Sequence, residues 1–68
     1  MRLSARNQLS GTVRSVTLGA VMAEIVVDVG GQELVSAITR ASAEALELAE
    51  GVEVAVVIKA TEVMLGRD

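Results

Sequence analysis

The chain has 68 residues, of which 51% are apolar, and it contains no aromatic residue, no cysteine and no histidine. These absences exclude disulfide bonds, zinc sites built on thiolate or imidazole ligands, and catalysis that depends on histidine. The formal net charge of −3, with six basic residues and no aromatic platform, argues against binding to nucleic acid.

We expect one small domain over residues 1–68 that associates with copies of itself. A core of this size rarely supplies more than about 3–5 kcal/mol unless disulfides, a metal or other chains contribute. Because the chain has neither cysteine nor histidine, we expect a homo-oligomer whose interfaces cover the surplus apolar surface. No apolar run approaches the roughly 20 residues of a membrane span, and the N-terminus lacks a signal-peptide pattern. The default expectation is therefore a cytoplasmic protein with no membrane partner.

The first part of the chain predicts a bent strand. Segments rich in Val, Ile and Thr that lie between glycines are typical of strands bounded by turns, and residues 8–18 are the first such segment. Apolar and polar residues alternate imperfectly here, so we expect a bulge or a strong bend, with Gly11 as its place. A turn at Gly19 and Ala20 ends the strand.

The clearest pattern in the chain predicts a hairpin over residues 22–39. Residues 22–29 alternate between an apolar and an acidic side, and residues 33–39 form the returning strand. Between them, Gly30 and Gly31 suit a tight turn, because glycine adopts positive φ without a steric penalty.

The last part of the chain predicts one helix and two further strands. Residues 40–51 are rich in Ala, Leu and Glu, with Thr39 or Ser42 available to cap the start and a final glycine to close the end. Residues 52–59 predict an apolar strand, and residues 62–65 predict a final short one. The order β-β-β-α-β-β predicts an all-β fold, a five-stranded OB-like barrel with one short helix.

Residues suited to catalysis are few. Glu44, Glu47 and Glu50 are spaced as on the solvated side of a helix, and no histidine is present to activate a serine. The sequence has no phosphate-binding loop, since its glycine pair fits a turn and nothing more. We therefore expect a protein that is not an enzyme and needs no catalytic cofactor.

Residues suited to holding an anion are better represented. An oxyanion needs one or two positive charges together with short donors such as hydroxyl and backbone N–H groups. In an extended segment Ser4 and Arg6 point the same way, and Lys59, the only lysine, ends an apolar strand. Thr39 and Ser42 flank the predicted helix start, where free N–H groups attract anions. Ordinary roles stay open for all five: solvated surface, a snorkelling lysine, and helix caps.

Five blocks of the sequence resemble one family. They are residues 4–13, 23–27, 36–39, 48–51 and 57–64, in the same order and spacing as in that family. From about Ser4 to Leu65 the chain resembles the molbindins and the molybdate-binding domain of molybdate-responsive regulators, which belong to the TOBE (transport-associated OB) group. The resemblance implies a strand-swapped OB-like fold, hexamers built as trimers of dimers, and storage of molybdate or tungstate at subunit interfaces.

The resemblance also implies a main oxyanion site between two chains. Four residues are expected to face the anion from one chain: Ser4, Arg6, Lys59 and Ala60, the last through its backbone N–H. Two hydroxyl residues are expected to approach from another chain: Thr39 and Ser42. Ala60 replaces a serine seen in some relatives, so its side chain contributes no hydrogen bond.

A second class of oxyanion site, near a threefold axis, is also implied by the resemblance. Its match in this chain is the turn formed by Gly19, Ala20, Val21 and Met22. Met22 stands where related chains can carry a polar residue, and its side chain offers no hydrogen bond to an anion.

Three other interpretations stay open from the sequence. The first is an accessory regulatory domain that signals molybdate status to a transporter or regulator; a chain that begins with methionine and shows no second domain favours independent storage instead. The second is a nucleic-acid-binding OB module, against which the acidic charge and the missing aromatic residues argue. The third is a structural oligomer without a ligand.

Overall fold

The computed structural model describes every residue from 1 to 68 and contains one antiparallel sheet with one short helix. In chain order the elements are β1 (Asn7–Leu18), β2 (Met22–Val29), β3 (Gln32–Thr39), α1 (Arg40–Ala45), β4 (Glu53–Ile58) and a 3₁₀ turn (Ala60–Glu62). The strand order in the sheet is β3-β2-β1-β4. Strand β1 pairs with β4 along its N-terminal half and with β2 along its C-terminal half. The all-β prediction is confirmed.

The hairpin of β2 and β3 forms as its sequence predicts. The two strands pair in continuous register from Met22 opposite Thr39 to Val29 opposite Gln32. The two loop residues take positive φ, 58° at Gly30 and 87° at Gly31. This is the backbone that a two-residue hairpin needs to match the twist of its strands, and glycine adopts it without strain.

The core lies beneath β2 and is small. Alternate residues of this strand, Ala23, Ile25 and Val27, are at most 4% exposed and pack with Val13 of β1 and Ala43 of α1. These five are the only fully buried residues of the chain. Many other apolar side chains remain open to solvent, which leaves surface for association.

The bulge in β1 occurs at Arg14, and its predicted place at Gly11 is wrong. Val13 pairs with Val27 and Ser15 pairs with Val26, so Arg14 is the extra residue between them. Its guanidinium lies 3.0 Å from a carboxylate oxygen of Asp28. Hydrogen bonding from Arg14, together with a backbone N–H of the following turn, lowers the pKa of Asp28 below its ordinary value. The bulge thus directs the side chain of Arg14 along the outer face of β2. The alternation of apolar residues in the sequence does not indicate this direction.

Gly11 instead provides space where β1 passes β2. A Cβ atom here would lie 2.6 Å from Cγ1 of Val27 and 3.0 Å from the carbonyl oxygen of Asp28. We expect Gly11→Ala to destabilise the fold by about 1–3 kcal/mol, the usual cost of overpacking. The matched control is Gly66→Ala, since nothing lies within 4 Å of a Cβ there. Urea unfolding of both variants measures the difference, and equal midpoints would contradict the close approach.

The helix is shorter than its sequence predicts. It ends at Ala45 instead of continuing to residue 51, and Glu47 already has a left-handed φ of 52°. The chain turns here because Leu48 packs against the core and the following residues must reach the edge of β1. Gly51 is therefore not a helix cap, and its N–H donates to the carbonyl of Val13 at 2.8 Å. The helix propensity of Ala, Leu and Glu is a weak preference that packing overrides.

The predicted fifth strand over residues 62–65 does not form within one chain. The chain forms the 3₁₀ turn after β4 and then no regular structure up to its end. Met64 and Leu65 are 92% and 94% exposed. A strand needs a neighbouring backbone to accept and donate its hydrogen bonds, and no strand of the same chain lies beside this segment. The sheet of one chain therefore has four strands and stays open.

Candidate functional site

The sheet register brings Arg6 and Lys59 to the same end of the molecule. The ladder between β1 and β4 runs from Thr12 opposite Glu53 to Asn7 opposite Ile58. Arg6 and Lys59 are the next residue on each strand, so the two cations follow the last pair. Both are exposed, and neither forms an ion pair with a carboxylate. Two adjacent cations without a neutralising acid create a local positive potential in an otherwise acidic chain.

Short donors lie close to these two cations along the chain. Ser4 precedes Arg6 by two residues and is exposed. The side-chain amide of Gln8 donates to the carbonyl of Ala5 at 3.0 Å, which ties this N-terminal segment to β1. Ala60 begins the 3₁₀ turn directly after Lys59, and the first N–H groups of a helical turn have no partner within it. We call Ser4, Arg6, Lys59 and Ala60 the basic half-site.

The other two predicted ligands lie at the opposite end of the sheet. Thr39 pairs with Met22, beside the C-terminal end of β1, whereas Arg6 precedes its N-terminal end. Nearly the whole of the 12-residue strand β1 lies between the two ends, in a chain whose longest dimension is 35 Å. We call Thr39 and Ser42 the hydroxyl half-site. Within one chain the two half-sites do not meet.

The hydroxyl half-site is internally hydrogen-bonded. Oγ1 of Thr39 accepts a hydrogen bond from the N–H of Ser42 at 3.1 Å and lies 2.8 Å from Oγ of the same serine. Of the two residues predicted as possible caps, Thr39 is the N-cap of α1 and Ser42 lies in its first turn. With six residues the helix has fewer than two turns, so few peptide dipoles add up, and the hydroxyls are the principal donors here.

The turn of the expected second site lies against the start of α1. Two of its backbone carbonyls accept hydrogen bonds from Arg40: Val21 from the backbone N–H at 2.7 Å, and Gly19 from the guanidinium at 3.3 Å. A shallow cavity of about 500 Å³ includes Ala20, Val21 and Arg40 in its lining. Met22 is half exposed at 49%.

Arg40 is a residue that the sequence analysis missed. It places a positive charge at the turn, although Glu44 partly neutralises it across a contact of 2.6 Å. The i,i+4 spacing of these two residues is a recognisable signal for a helix ion pair. Nothing in the spacing of the sequence indicates that Arg40 also reaches the turn between β1 and β2.

The largest cavity of the chain is unsuited to an anion. It measures about 580 Å³ and lies along the rim of the sheet, where Asp28 and Glu53 contribute carboxylates. Neither half-site borders it.

The chain contains no group of three or more histidine, cysteine or acidic residues that could hold a metal ion. The helices are all too short or too polar to cross a membrane.

Comparison with known proteins identifies the family. The TOBE domain model matches residues 3–65. Molybdenum-pterin-binding protein 3 of Clostridium pasteurianum is 47% identical over 66 residues, which are 96% of this chain and 97% of that protein.

Two solved structures extend this similarity to the fold. A molybdate-binding protein from Sporomusa ovata superposes with a TM-score of 0.94 at 45% identity, over 98% of this chain and 100% of that one. The cytoplasmic molybdate-binding protein ModG, solved with molybdate bound, gives a TM-score of 0.84 at 46% identity, over 88% of this chain and 43% of that one. The resemblance to molybdate-binding proteins that the sequence indicated is confirmed. The chain belongs to the TOBE domain family.

Proposed function

We propose that this protein binds molybdate, and tungstate in the same way, for storage or homeostasis in the cytoplasm. The observation that carries the proposal is the position of Arg6 and Lys59, which continue the same strand pair without a carboxylate partner. At an effective dielectric near 20, two unit charges about 4 Å apart interact by roughly 4 kcal/mol. A dianion between two such cations would be held firmly if hydroxyl and N–H donors replaced its hydration.

The main site is proposed to form between chains. The basic half-site supplies the two positive charges, and the hydroxyl half-site of another chain supplies further donors. Their separation along β1 within one chain supports this division. The proposal therefore requires a homo-oligomer, and a hexamer built as a trimer of dimers is its expected form.

Apolar surface that is exposed to solvent in the single chain supports such an assembly. The sheet is open, and an apolar groove of about 200 Å³ runs between its two outer strands, lined in part by Ile38, Leu48 and Val56. The C-terminal segment with Met64 and Leu65 is exposed and has no partner in its own chain. Exchange of this segment between subunits, as a strand beside an open edge, would cover both surfaces.

The turn of Gly19, Ala20, Val21 and Met22 is proposed as a second oxyanion site. Its proximity to Arg40 supports this assignment, because none of the four residues carries a charge of its own. A role in binding without catalysis is supported by the relatives, which are named as binding proteins, and cytoplasmic location by the description of ModG.

Calorimetric titration of the anion-free protein with sodium molybdate tests the function. We expect tight binding with about one or more anions per chain, and we expect it to persist when the titration is repeated in excess sulfate. Sodium tungstate should then bind to the same sites and compete with molybdate. Absence of heat at any accessible concentration would contradict the proposed function, even though the fold would stand.

A further inference from the structure

Gln8, the second residue of β1, lies on the same face of the sheet as both cations of the basic half-site. Residues 4–8 alternate in exposure: Ser4, Arg6 and Gln8 are exposed, whereas the two residues between them are half-buried. Gln8 pairs with Val57 of β4, and the side chains of directly paired residues lie on one face. Because side chains alternate along extended backbone, Lys59, two residues after Val57, belongs to this face too.

The side-chain amide of Gln8 closes a short loop of backbone that contains Arg6. Its nitrogen donates to the carbonyl of Ala5 at 3.0 Å, and this carbonyl accepts no backbone hydrogen bond. Arg6 lies just outside the ladder, whose last pair is Asn7 opposite Ile58, so no strand pairing holds its backbone. The amide of Gln8 therefore makes the only hydrogen bond between residues 1–6 and the rest of the chain.

Without this bond the segment that carries Arg6 would be free to fray. Chain beyond the last ladder pair opens readily, and a segment that must be ordered during binding lowers the affinity by the cost of its lost freedom. With the bond in place, the backbone of Arg6 is fixed before an anion arrives, and its guanidinium extends from the face that also carries Lys59. A charged group that is oriented in advance binds an ion more tightly than one that the ion must order.

We infer that Gln8 is a positioning residue that holds Arg6 in place for the oxyanion. The inference rests on the proposed function and refines it, because it adds to the basic half-site a residue that acts on the anion only through its neighbour. Lys59 follows β4 and makes no hydrogen bond with the side chain of Gln8. The effect of removing the amide should therefore require Arg6 and be independent of Lys59.

Molybdate titration of single and double variants tests this dependence. Gln8→Met keeps a side chain of similar length without its N–H donors, and we expect it to weaken binding about two- to tenfold, the net contribution of one neutral hydrogen bond. In the Arg6→Ala background the same substitution should change the affinity by less than about twofold, whereas in the Lys59→Ala background it should keep its full effect. Gln32→Met is the matched control, since this exposed glutamine lies on β3, which pairs with neither β1 nor β4.

Nitrogen relaxation of the backbone amide of Arg6 tests the same bond without a ligand. A rigid backbone amide has an order parameter of about 0.85, and a flexible one has a value below about 0.6. We expect the order parameter of Arg6 to fall in Gln8→Met and to stay at the wild-type value in Gln32→Met. An amide as ordered in Gln8→Met as in the wild type would overturn the inference.

The double variants also distinguish this role from two others. If the amide of Gln8 donated to the anion itself, or if its removal only loosened the sheet, the loss would persist in the Arg6→Ala background and the inference would be wrong. If Gln8→Met bound molybdate like the wild type while Arg6→Ala bound it weakly, the inference would fall and the proposed function would stand. If the wild-type protein bound no molybdate, both would fall.

Discussion

Alanine at Arg6 or at Lys59 is expected to weaken molybdate binding by roughly tenfold to a hundredfold. Each substitution removes one charge-assisted hydrogen bond, which contributes about 1.5–3 kcal/mol, and about 1.4 kcal/mol corresponds to a tenfold change in Kd. Neither cation forms an ion pair with a carboxylate of its own chain, so both positive charges are available to a bound dianion.

The proposed oligomer is expected to remain assembled in both variants. Arg6 and Lys59 are exposed and make no ion pair with another residue of the chain, so their removal leaves the sheet and its core unchanged. Size-exclusion chromatography with light scattering checks the assembly, and calorimetry measures the affinity. Arg67→Ala is the matched control, because it removes an exposed arginine that lies outside every strand and helix.

Three possible results distinguish a local anion site at Arg6 and Lys59 from a general effect of the protein's net charge. A loss confined to Arg6→Ala and Lys59→Ala supports the basic half-site. A similar loss in Arg67→Ala would indicate that net charge alone governs the affinity, which salt would then screen. Wild-type affinity in Arg6→Ala and in Lys59→Ala would contradict the site assignment.

The sequence predicted best where a local rule decides the structure. The hairpin of β2 and β3 follows from alternation over residues 22–29 and from the two glycines of its turn, and both were placed correctly. The bulge was expected in the correct strand but at the wrong residue. At its true place, Arg14 contacts carboxylates that lie on two other strands, and local alternation contains no information about such contacts.

Elements that need a distant partner were predicted less well. Residues 62–65 have the composition of a strand, yet composition does not supply the neighbouring backbone that a strand requires. Residues 40–51 have helix-forming composition, yet the return path to β1 ends the helix at Ala45. In both cases the tertiary arrangement overrides a weak local preference.

In the candidate site, too, local features could be predicted from the sequence and features that depend on distant residues could not. Residue types suited to an oxyanion could be read from the sequence, and Thr39 was one of the two caps that it offered for the helix. The adjacency of Arg6 and Lys59 could not, because it depends on the register between β1 and β4 over 50 residues of intervening chain. The separation of the two half-sites is likewise a property of the sheet order. The contact of Arg40 with the turn before β2 was missed for the same reason.

Ile25→Ala is expected to remove most of the stability of the isolated fold. The side chain is 2% exposed and lies at the centre of β2, between Val16 on one neighbouring strand and Ser36 on the other. Truncating a buried isoleucine to alanine costs about 2–5 kcal/mol, and a core of this size supplies only about 3–5 kcal/mol. In a domain of this length a loss of 1 kcal/mol lowers the melting temperature by about 4–8 °C, so the melting temperature should fall by roughly 10 °C or more.

Two matched variants show whether the loss arises from the core. Ile25→Val deletes a single methylene and should cost about 0.5–1.5 kcal/mol, whereas Val35→Ala shortens a side chain that is 66% exposed on the outer face and should cost little in a single chain. Thermal unfolding at two protein concentrations completes the test, because association stabilises the folded state by mass action. If Val35→Ala lowered the melting temperature as much as Ile25→Ala, and more strongly in concentrated protein, contacts between subunits would outweigh the small core in stabilising the fold. If the two Ile25 variants lowered it and Val35→Ala did not, the five buried residues would be enough to define the fold before any association, and the proposed site between chains would then form from chains that are already folded.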